Sequence, residues 1–334
     1  MGDVAAHAGV SAQTVSRVAN GLANVEQSTR DRVLSSMQAL GYRPNKAARA
    51  LRLGRFRNIG VIMFTLSSFG NMRTLDAIAI AAARAGYSIT LIPVEHPTQN
   101  DLSVAFSRLL EQAVDGVVIV IEAHVVDESD VELPAGLPVV VIDSAARADY
   151  PVIDTDQAQG ARLATEHLLQ LGHETVWHVA GPEASYSATR REQAWRETLA
   201  TAGRQIPPVL RGNWSTTSGY EAGMTLSGDR NVTAIFAGND QMALGILRAF
   251  HERGVAVPDD VSVVGFDDMS ESDSFWPPLT TVHQDFDAVG RRSIEVLLAE
   301  IEGAPARPGI IAASTRLIVR SSTAAPPEGD VTAR

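Results

Sequence analysis

The stretch DVAAHAGVSAQTVSRVANG, residues 3–21, contains two runs of small apolar residues separated by a glycine and a serine. The apolar residues recur at helical spacing, which predicts two short helices, each with one buried face. These residues are Val4, Ala5 and Ala8 in the first helix and Val15 and Val18 in the second. Gly9 is suited to end the first helix, and Ser11 is suited to cap the amino end of the second.

A third helix is predicted after this pair. Its start is expected at Ser28, with Asp31 three residues further on as a variant of the capping box, and its end at Gly41. The predicted buried stripe consists of Val33, Leu34, Met37 and Leu40. Three short helices with a polar, arginine-bearing second helix are typical of a helix-turn-helix module, here over residues 1–43. A generic three-helix packing unit is the alternative.

The outer face of the second helix carries side chains that suit DNA. Gln13 can form paired hydrogen bonds with adenine, and Arg17 can do so with guanine. Thr14, Ser16 and Asn20 are short donors that suit phosphate oxygens. Ala12 completes this outward face. The second helix is therefore the candidate DNA-reading element.

Charge is spread unevenly along the 334 residues. Residues 1–57 hold nine Lys or Arg and three acidic residues, a charge of +6. Because the net charge of the whole chain is −11, the remaining residues carry a charge of −17. A basic head on an acidic body indicates that the head meets a polyanion, although a solvated charged surface is the alternative. The chain has no cysteine, which excludes disulfides and thiol catalysis. Without a transmembrane-length apolar run or an export signal, a cytoplasmic protein is expected.

The segment PNKAARALRLG, residues 44–54, is marked as a helix at both ends, by Pro44 and Gly54. It has room for about two and a half turns, and helices this short are marginal in water on their own. Three basic residues fall within it: Lys46, Arg49 and Arg52. A helix that needs a partner for its stability is predicted, with a simple basic linker as the alternative.

The body of the chain alternates apolar strand candidates with helical stretches. The strand candidates are IGVIMF (59–64), SITLIPV (88–94), GVVIVIE (116–122), LPVVVID (137–143), TVWHVAG (175–181), AIFAGND (234–240), VSVVGFDD (261–268) and LTTVHQDF (279–286). Continuous β-branched runs are typical of parallel strands buried on both faces. The fold class predicted is α/β, with a helix-turn-helix head and a doubly wound parallel-sheet core. Because the strands are too many for one compact sheet, two lobes with a cleft are expected.

Polar residues follow several of these strands, where the carboxyl ends of parallel strands place ligand-binding groups. They are Asp143, Asn239, Asp240, Asp267, Asp268 and Gln284, joined by Trp214 and by Arg191 early in a helix. Planar carboxylate, amide and guanidinium groups suit vicinal sugar hydroxyls, and an indole face suits the C–H side of a pyranose. Each residue also has a structural alternative: Asp240 as a helix cap, Asp268 as a turn residue and Trp214 as a core residue.

The stretch 3–21, followed by YRPNKAARAL (42–51), resembles the DNA-binding head of the LacI/GalR repressor family. The resemblance continues through most of the chain. It is closest to the lactose repressor subgroup in GNWSTTSGYEAG (212–223), GNDQMALG (238–245), SVVGFDD (262–268) and PPLTTVHQDF (277–286). It implies a core similar to type I periplasmic sugar-binding proteins. The chain starts a few residues later than is usual in the family, so either the true start lies upstream or the first helix is trimmed.

The resemblance implies roles for individual residues. In the head, the base-reading positions fall on Ala12, Gln13 and Arg17. Residues 44–54 become a hinge helix, in which Leu51 is the wedge at the central base step and Asn45, Lys46 and Arg49 contact the minor groove or phosphates. In the cleft, the sugar-hydroxyl contacts fall on Arg191, Asn239, Asp267 and Asp143, with Gln284 nearby and Trp214 stacking on the sugar.

The resemblance also implies a domain plan. The head would be 1–43, the hinge and linker 44–57, and the effector-binding and dimerisation core 58–323. The N-lobe would be 58–155 with 286–313, and the C-lobe 156–285 with 314–323. Residues 324–334 are expected to be a disordered tail. Because this tail has two prolines and no leucine heptad, a homodimer is expected rather than a tetramer.

The sequence departs from the subgroup where the family's effector carries its substituent. Ser68, Gly70, Asn71 and Thr74 stand where that subgroup is largely apolar, and Phe69 is the one bulky apolar residue. Thr189 stands where the subgroup has an additional arginine. A different substituent, such as a second sugar, is expected.

Other function classes fit less well. An enzyme would need a motif such as G-x-S-x-G, a P-loop lysine or H-E-x-x-H, and none is present. Asp143 and Asp267 could pair as catalytic carboxylates, but hydrogen bonding to a sugar is the simpler role. A sugar-binding transport receptor is a further alternative, but such a receptor would not need the basic head and would carry an export signal. The hypothesis is a transcriptional repressor that binds operator DNA and whose operator affinity is controlled by a galactoside-like sugar. No cofactor or metal is expected. Another sugar, a nucleoside effector or a corepressor response is the alternative.

Overall fold

The computed structural model describes residues 1–19, 22, 24–42, 54–94, 99–120, 136–142, 150–305 and 307–327. The chain divides into two compact units, Met1–Arg57 and Asn58–Arg334. Within these described residues, no helix has both the length and the apolar character needed to span a bilayer.

Three helices make up the described part of the first unit: α1 (Gly2–Ala8), α2 (Ala12–Ala19) and α3 (Gln27–Ala39). Their small core contains the five apolar residues predicted for α1 and α2, together with Val33 and Met37. Gly9 ends α1 in the left-handed conformation, at φ 63°. The Ser11 hydroxyl accepts a hydrogen bond from the Thr14 backbone N–H at 3.1 Å, as expected of a cap.

The prediction for α3 was wrong in two respects. The helix begins at Gln27, and the Gln27 amide donates to Asp31 at 2.7 Å, so Asp31 does not close a capping box with Ser28. Leu34 and Leu40 are 48% and 45% exposed. The buried face of α3 is a narrow line through Val33, Ser36 and Met37, because two short helices cover too little of its circumference to bury a wider stripe.

Two parallel-dominated sheets form the second unit. The first sheet contains β1 (Asn58–Met63), β2 (Ser88–Pro93), β3 (Gly116–Val120), β4 (Val139–Ile142), β5 (Pro151–Thr155) and β11 (Gly309–Ala313), in the order β11-β5-β4-β3-β1-β2. The second contains β6 (Trp177–Ala180), β7 (Leu210–Arg211), β8 (Ala234–Ala237), β9 (Ser262–Asp267), β10 (Thr280–His283) and β12 (Arg316–Ile318), in the order β12-β10-β9-β8-β6-β7. Every pair is parallel except the pair of β12 with β10.

Helices cover both sheets. They are α4 (Phe69–Arg84), α5 (Gln99–Glu111), α6 (Gln157–Gln170), α7 (Tyr186–Thr201), α8 (Thr216–Leu226), α9 (Asp240–Arg253) and α10 (Phe286–Ile301). Central strands such as β3 and β9 are buried along their whole length, which explains their continuous β-branched and apolar sequence. The backbones of α8 and α9 touch at Gly219 and Gly245, where a Cβ on either glycine would clash with the opposite helix.

The chain passes between the sheets three times: after β5, after β10 and after β11. We refer to the part built on the first sheet as the N-lobe and the part built on the second as the C-lobe. Because parallel strands place their carboxyl ends at one edge, the groups that follow these strands gather where the two lobes face each other.

The tail was predicted to be disordered from residue 324, but Ala324 is bound to the C-lobe. The Ala324 N–H donates to the Ser262 hydroxyl at 3.0 Å, and the Ala324 carbonyl lies 3.0 Å from Nε2 of His173. His173 is buried in the C-lobe and also contacts the Thr233 hydroxyl, at 3.0 Å. The chain therefore remains attached to the C-lobe beyond β12.

Candidate functional site

The predicted DNA-reading face of α2 lies at the surface of the first unit. Ala12, Gln13 and Arg17 are exposed, whereas Thr14 and Ser16 are half-buried. The other DNA-contact candidates, Asn20, Asn45, Lys46, Arg49 and Leu51, lie outside the described residues. Among the described residues, Gln13 and Arg17 are therefore the exposed side chains of this face that can donate hydrogen bonds to DNA.

A cleft with an empty volume of about 570 Å³ lies between the two lobes. Its lining includes five of the predicted ligand-binding residues: Arg191, Trp214, Asn239, Asp267 and Gln284. Asp143 lies outside the described residues.

Phe69 was predicted to line the cleft, but it does not. Its ring packs edge-on against Phe286, with 6.0 Å between the ring centroids, and Phe286 is the aromatic residue that lines the cleft. The Ser68 hydroxyl caps α4, and the first two turns of the helix then direct Gly70, Asn71 and Thr74 to the cleft. Because successive residues of a helix point in different directions, Phe69 points toward α10 instead.

The Arg191 guanidinium connects several elements of the C-lobe. Nε donates to Oε1 of Gln157 on α6 at 2.8 Å, Nη1 donates to the Gly238 carbonyl, and Nη2 lies 3.9 Å from Oδ1 of Asp267. The guanidinium carbon lies 3.7 Å from the ring centroid of Phe266. The side chain is only 5% exposed, so these contacts replace the water that the charge has lost.

Asp267 extends this network to Gln284, which follows β10 of the same lobe. Its Oδ1 accepts a hydrogen bond from the Gln284 amide at 2.6 Å, and the Gln284 carbonyl oxygen lies 3.4 Å from Nε2 of Gln157. The four side chains, Gln157, Arg191, Asp267 and Gln284, form a closed ring of planar polar groups. Asp267 has a φ of 117°, a conformation that costs a non-glycine residue on the order of 1–3 kcal/mol and is concentrated at binding sites.

Two glycines position the Trp214 indole. Gly181 follows β6 and Gly238 follows β8, and the indole lies so close to both that a Cβ at Gly181 would clash with it. Trp214 has a φ of 69°, and its carbonyl accepts a hydrogen bond from the Asn239 amide at 3.1 Å. The ring is thereby held at the carboxyl ends of the C-lobe strands, beside Arg191.

The expectation that Asp240 caps the following helix was wrong. Asn239 is the cap of α9, because its side-chain oxygen accepts from the Met242 N–H at 2.9 Å. Asp240 is fully buried and accepts hydrogen bonds from the Met269 N–H and from the hydroxyls of Ser272 and Thr281. Burial, aided by the Asp267 charge, raises the pKa of Asp240 to about 7.

Sequence reasoning missed several residues that line the cleft. Gln157 and Ser187 belong to the C-lobe helices, and Asp154 and Thr155 end β5. The strand PVIDT (151–155) lacks a long apolar run, so its carboxyl end was not recognised. The apolar lining consists of Val120, Ile142, Phe286 and Val289. A neutral, polyhydroxylated molecule with an apolar face matches this combination of groups.

Comparisons with known proteins agree with this architecture. A family model described as "Bacterial regulatory proteins, lacI family" matches residues 1–45, and one described as "Periplasmic binding protein-like domain" matches residues 165–323. The lactose operon repressor of Escherichia coli K12 is 36% identical over 328 residues, which cover 97% of this chain and 90% of that protein. The chain belongs to the lacI family.

Other members of the lacI family are also similar. The PurR repressor of Haemophilus influenzae PittEE is 34% identical, covering 90% of each chain. The lac repressor dimer bound to operator and the anti-inducer ONPF superimposes with a TM-score of 0.86 at 35% identity, covering 97% of this chain and 98% of that one. The regulator CelR in complex with cellobiose has a TM-score of 0.72 at 29% identity, with 96% and 98% covered. The chain is thus a DNA-binding transcriptional repressor of this family, not an enzyme.

The buried carboxyl of Asp240 predicts a pH-dependent contribution to stability. Its pKa is about 7 in the folded chain against an ordinary value of 3.8, so the folded state holds a proton that the unfolded state has lost. The resulting stabilisation is complete below about pH 4 and disappears as the pH rises through 7. We expect the melting temperature of the wild type, relative to Asp240→Asn, to fall between pH 5 and pH 8. The exposed Asp259→Asn serves as the control, and a difference that stays constant with pH would contradict the assignment.

Proposed function

We propose that this repressor senses a sugar, a galactoside-like pyranoside, in the cleft, and that the bound sugar controls its affinity for operator DNA in the cytoplasm. The observation that carries the proposal is the ring formed by Gln157, Arg191, Asp267 and Gln284. These side chains are already held in place by one another, so a ligand meets fixed donors and acceptors. Preorganised planar groups of this kind suit vicinal hydroxyls, which donate and accept at the same time.

Trp214 and Asn239 support the same ligand class. The indole is fixed next to the polar ring, where it can cover the C–H face of a pyranose. The Asn239 amide is oriented by its cap interaction and by the Trp214 carbonyl. Asp143 is proposed to add a further hydroxyl contact from the end of the LPVVVID segment.

The N-lobe wall supports a ligand that extends beyond one ring. Ser68, Asn71 and Thr74 are buried polar residues on this wall, and their hydroxyl and amide groups suit the hydroxyls of a second sugar better than an apolar substituent. A structurally similar relative, CelR, forms a complex with cellobiose, a sugar of two rings, which supports this proposal. The PurR relatives make a nucleobase-type effector the second candidate.

A ligand panel distinguishes these candidates. We expect galactosides to raise the melting temperature of the full-length protein and to release a duplex selected by the protein from random DNA, whereas glucosides, pentoses and purines do neither. A ligand at 100 times its Kd stabilises the folded state by about 2.7 kcal/mol, which a thermal shift resolves easily. A response to purines alone would reject the sugar. Tighter DNA binding with galactoside would show a corepressor instead of an inducer.

The proposed switch is a shift between two lobe orientations. Sugar favours one orientation, and operator binding favours the other, so the two ligands oppose each other through their differential affinities. Residues 44–54 are proposed to be the hinge helix, which gains stability from DNA and from the partner chain and is therefore sensitive to small movements of the lobes.

Two variants separate the proposed roles in DNA binding. Arg17→Ala is expected to weaken binding to the selected operator by 1–3 kcal/mol, about 5–150-fold, and to relax the preference at one base position. Leu51→Ala is expected to reduce DNA bending, because the wedge that unstacks the central step is lost. Arg32→Ala, on the exposed side of α3, is the control. If both variants bind and bend DNA as the wild type does, the proposed contacts of Arg17 and Leu51 are wrong.

A homodimer is proposed because the core exposes apolar side chains on two surfaces. Trp276 is 91% exposed, Leu244 of α9 is also exposed, and Met72 and Ile80 are exposed on α4. An indole presented in this way is typical of an interface residue. The two copies would place two heads on the two half-sites of an operator.

Sedimentation tests the proposed dimer. The wild type is expected to have twice the 35.6 kDa mass of the chain at micromolar concentration. Trp276→Glu is expected to dissociate it, because a charge buried at an interface without a partner is costly. The control is Ile206→Glu, at another exposed apolar position. A stable wild-type tetramer, or an unaffected Trp276→Glu dimer, would reject this arrangement.

A further inference from the structure

The N-lobe wall of the cleft has a defined order of polar and apolar groups. In the first sheet, β1, β3, β4 and β5 are neighbours, and their carboxyl ends share one edge. The polar start of α4 follows β1, Val120 and Ile142 end β3 and β4, and Asp154 lies near the end of β5. A strip of two apolar residues is thus bounded by polar groups on both sides.

Asp154 is a buried acid that faces the cleft with one oxygen to spare. It is 6% exposed and lines the cleft. Its Oδ1 accepts a hydrogen bond from the Thr155 N–H at 2.7 Å, whereas Oδ2 has no hydrogen-bond partner among the residues that the structure describes. A carboxylate oxygen of a cleft-lining residue that accepts no hydrogen bond from the described residues is available to a ligand donor.

The charges around Asp154 offset its burial only in part. Burial raises the pKa of Asp154, the hydrogen bond from the Thr155 N–H and the charges of Arg190 and Arg191 on α7 lower it, and Asp156 raises it. Burial is the largest influence, and the result is a pKa of about 7. A hydroxyl that donates to Oδ2 would supply the interaction that the neighbouring cations do not.

We propose that Asp154 is a specificity-determining residue that accepts a hydrogen bond from a hydroxyl on the second unit of the effector, which is therefore a hydroxylated glycoside such as a disaccharide. This inference rests on the sugar site proposed above. The C-lobe ring holds the first pyranose, and the second unit lies against the N-lobe wall. Its C–H face covers Val120 and Ile142, and its hydroxyls reach Asp154 on one side and the start of α4 on the other.

The same geometry disfavours an apolar aglycone. A phenyl group in this position would cover the apolar strip but would leave Oδ2 of Asp154 buried without a donor. Sites built to hydrogen-bond a hydroxyl reject analogues that lack it far more strongly than apolar pockets reject small changes of size. A preference of at least tenfold for the hydroxylated second unit is expected.

Two ligands with the same galactose ring test this proposal: lactose, with a second sugar, and phenyl β-galactoside, with an apolar ring. Titration calorimetry on the full-length chain should show at least tenfold tighter binding of lactose. Asp154→Val introduces a β-branched residue, which suits a strand, but removes the acceptor, and it should abolish this preference by weakening the binding of lactose alone. Asp154→Asn restores an acceptor without the charge and should recover part of it. Asp259→Asn, at an exposed carboxylate, should leave the ratio unchanged.

The ratio of the two affinities separates a specificity role from a structural one. Equal weakening of both ligands in Asp154→Val would assign Asp154 to the fold and overturn the inference, as would an unchanged preference. If the wild type binds both galactosides equally and releases DNA with both, the sugar proposal stands and this inference fails. If it binds neither, both fail.

Discussion

The cleft depends on one buried positive charge. Arg191 has lost nearly all its water, and its guanidinium must therefore be satisfied by protein groups. The groups that satisfy it come from the start of α6, the end of β8 and the end of β9. Each of these elements ends at the cleft, so the need to compensate one cation aligns the polar residues that a ligand would meet. The strained backbone of Asp267 is maintained within this network.

The two lobes contribute to the site in different ways. In the C-lobe, the polar side chains bind one another, and Trp214 rests on backbone that only glycine leaves open. This side is therefore held by contacts within the C-lobe. In the N-lobe, the wall is a mixture of buried polar groups and two apolar strand ends, with Asp154 at its far side. Substitutions in this wall would alter the N-lobe side of the cleft without changing the C-lobe network.

Several elements could be predicted because their signals are local. The helix pair at the amino end follows from apolar spacing with Gly9 and Ser11, and the central strands follow from uninterrupted β-branched runs. β11 and β12 were missed because each lies at the edge of its sheet and needs no continuous apolar run. β5 was missed although it is fully buried, because its proline and aspartate interrupt the pattern. Leu34 and Leu40 were placed inside because spacing alone does not reveal how little of α3 is covered.

The sequence by itself determined the family, the fold class and the side chains that gather at the carboxyl ends of the C-lobe strands, because motifs and strand ends are contiguous in the chain. Tertiary structure decided which neighbour of each pair does which task. Asn239 caps α9 while Asp240 is buried behind it, and Phe69 packs on Phe286 while Gly70 and Asn71 face the cleft. It also placed Asp154 opposite the Arg191 network. Such choices depend on how elements distant in sequence pack together, and no local pattern encodes them.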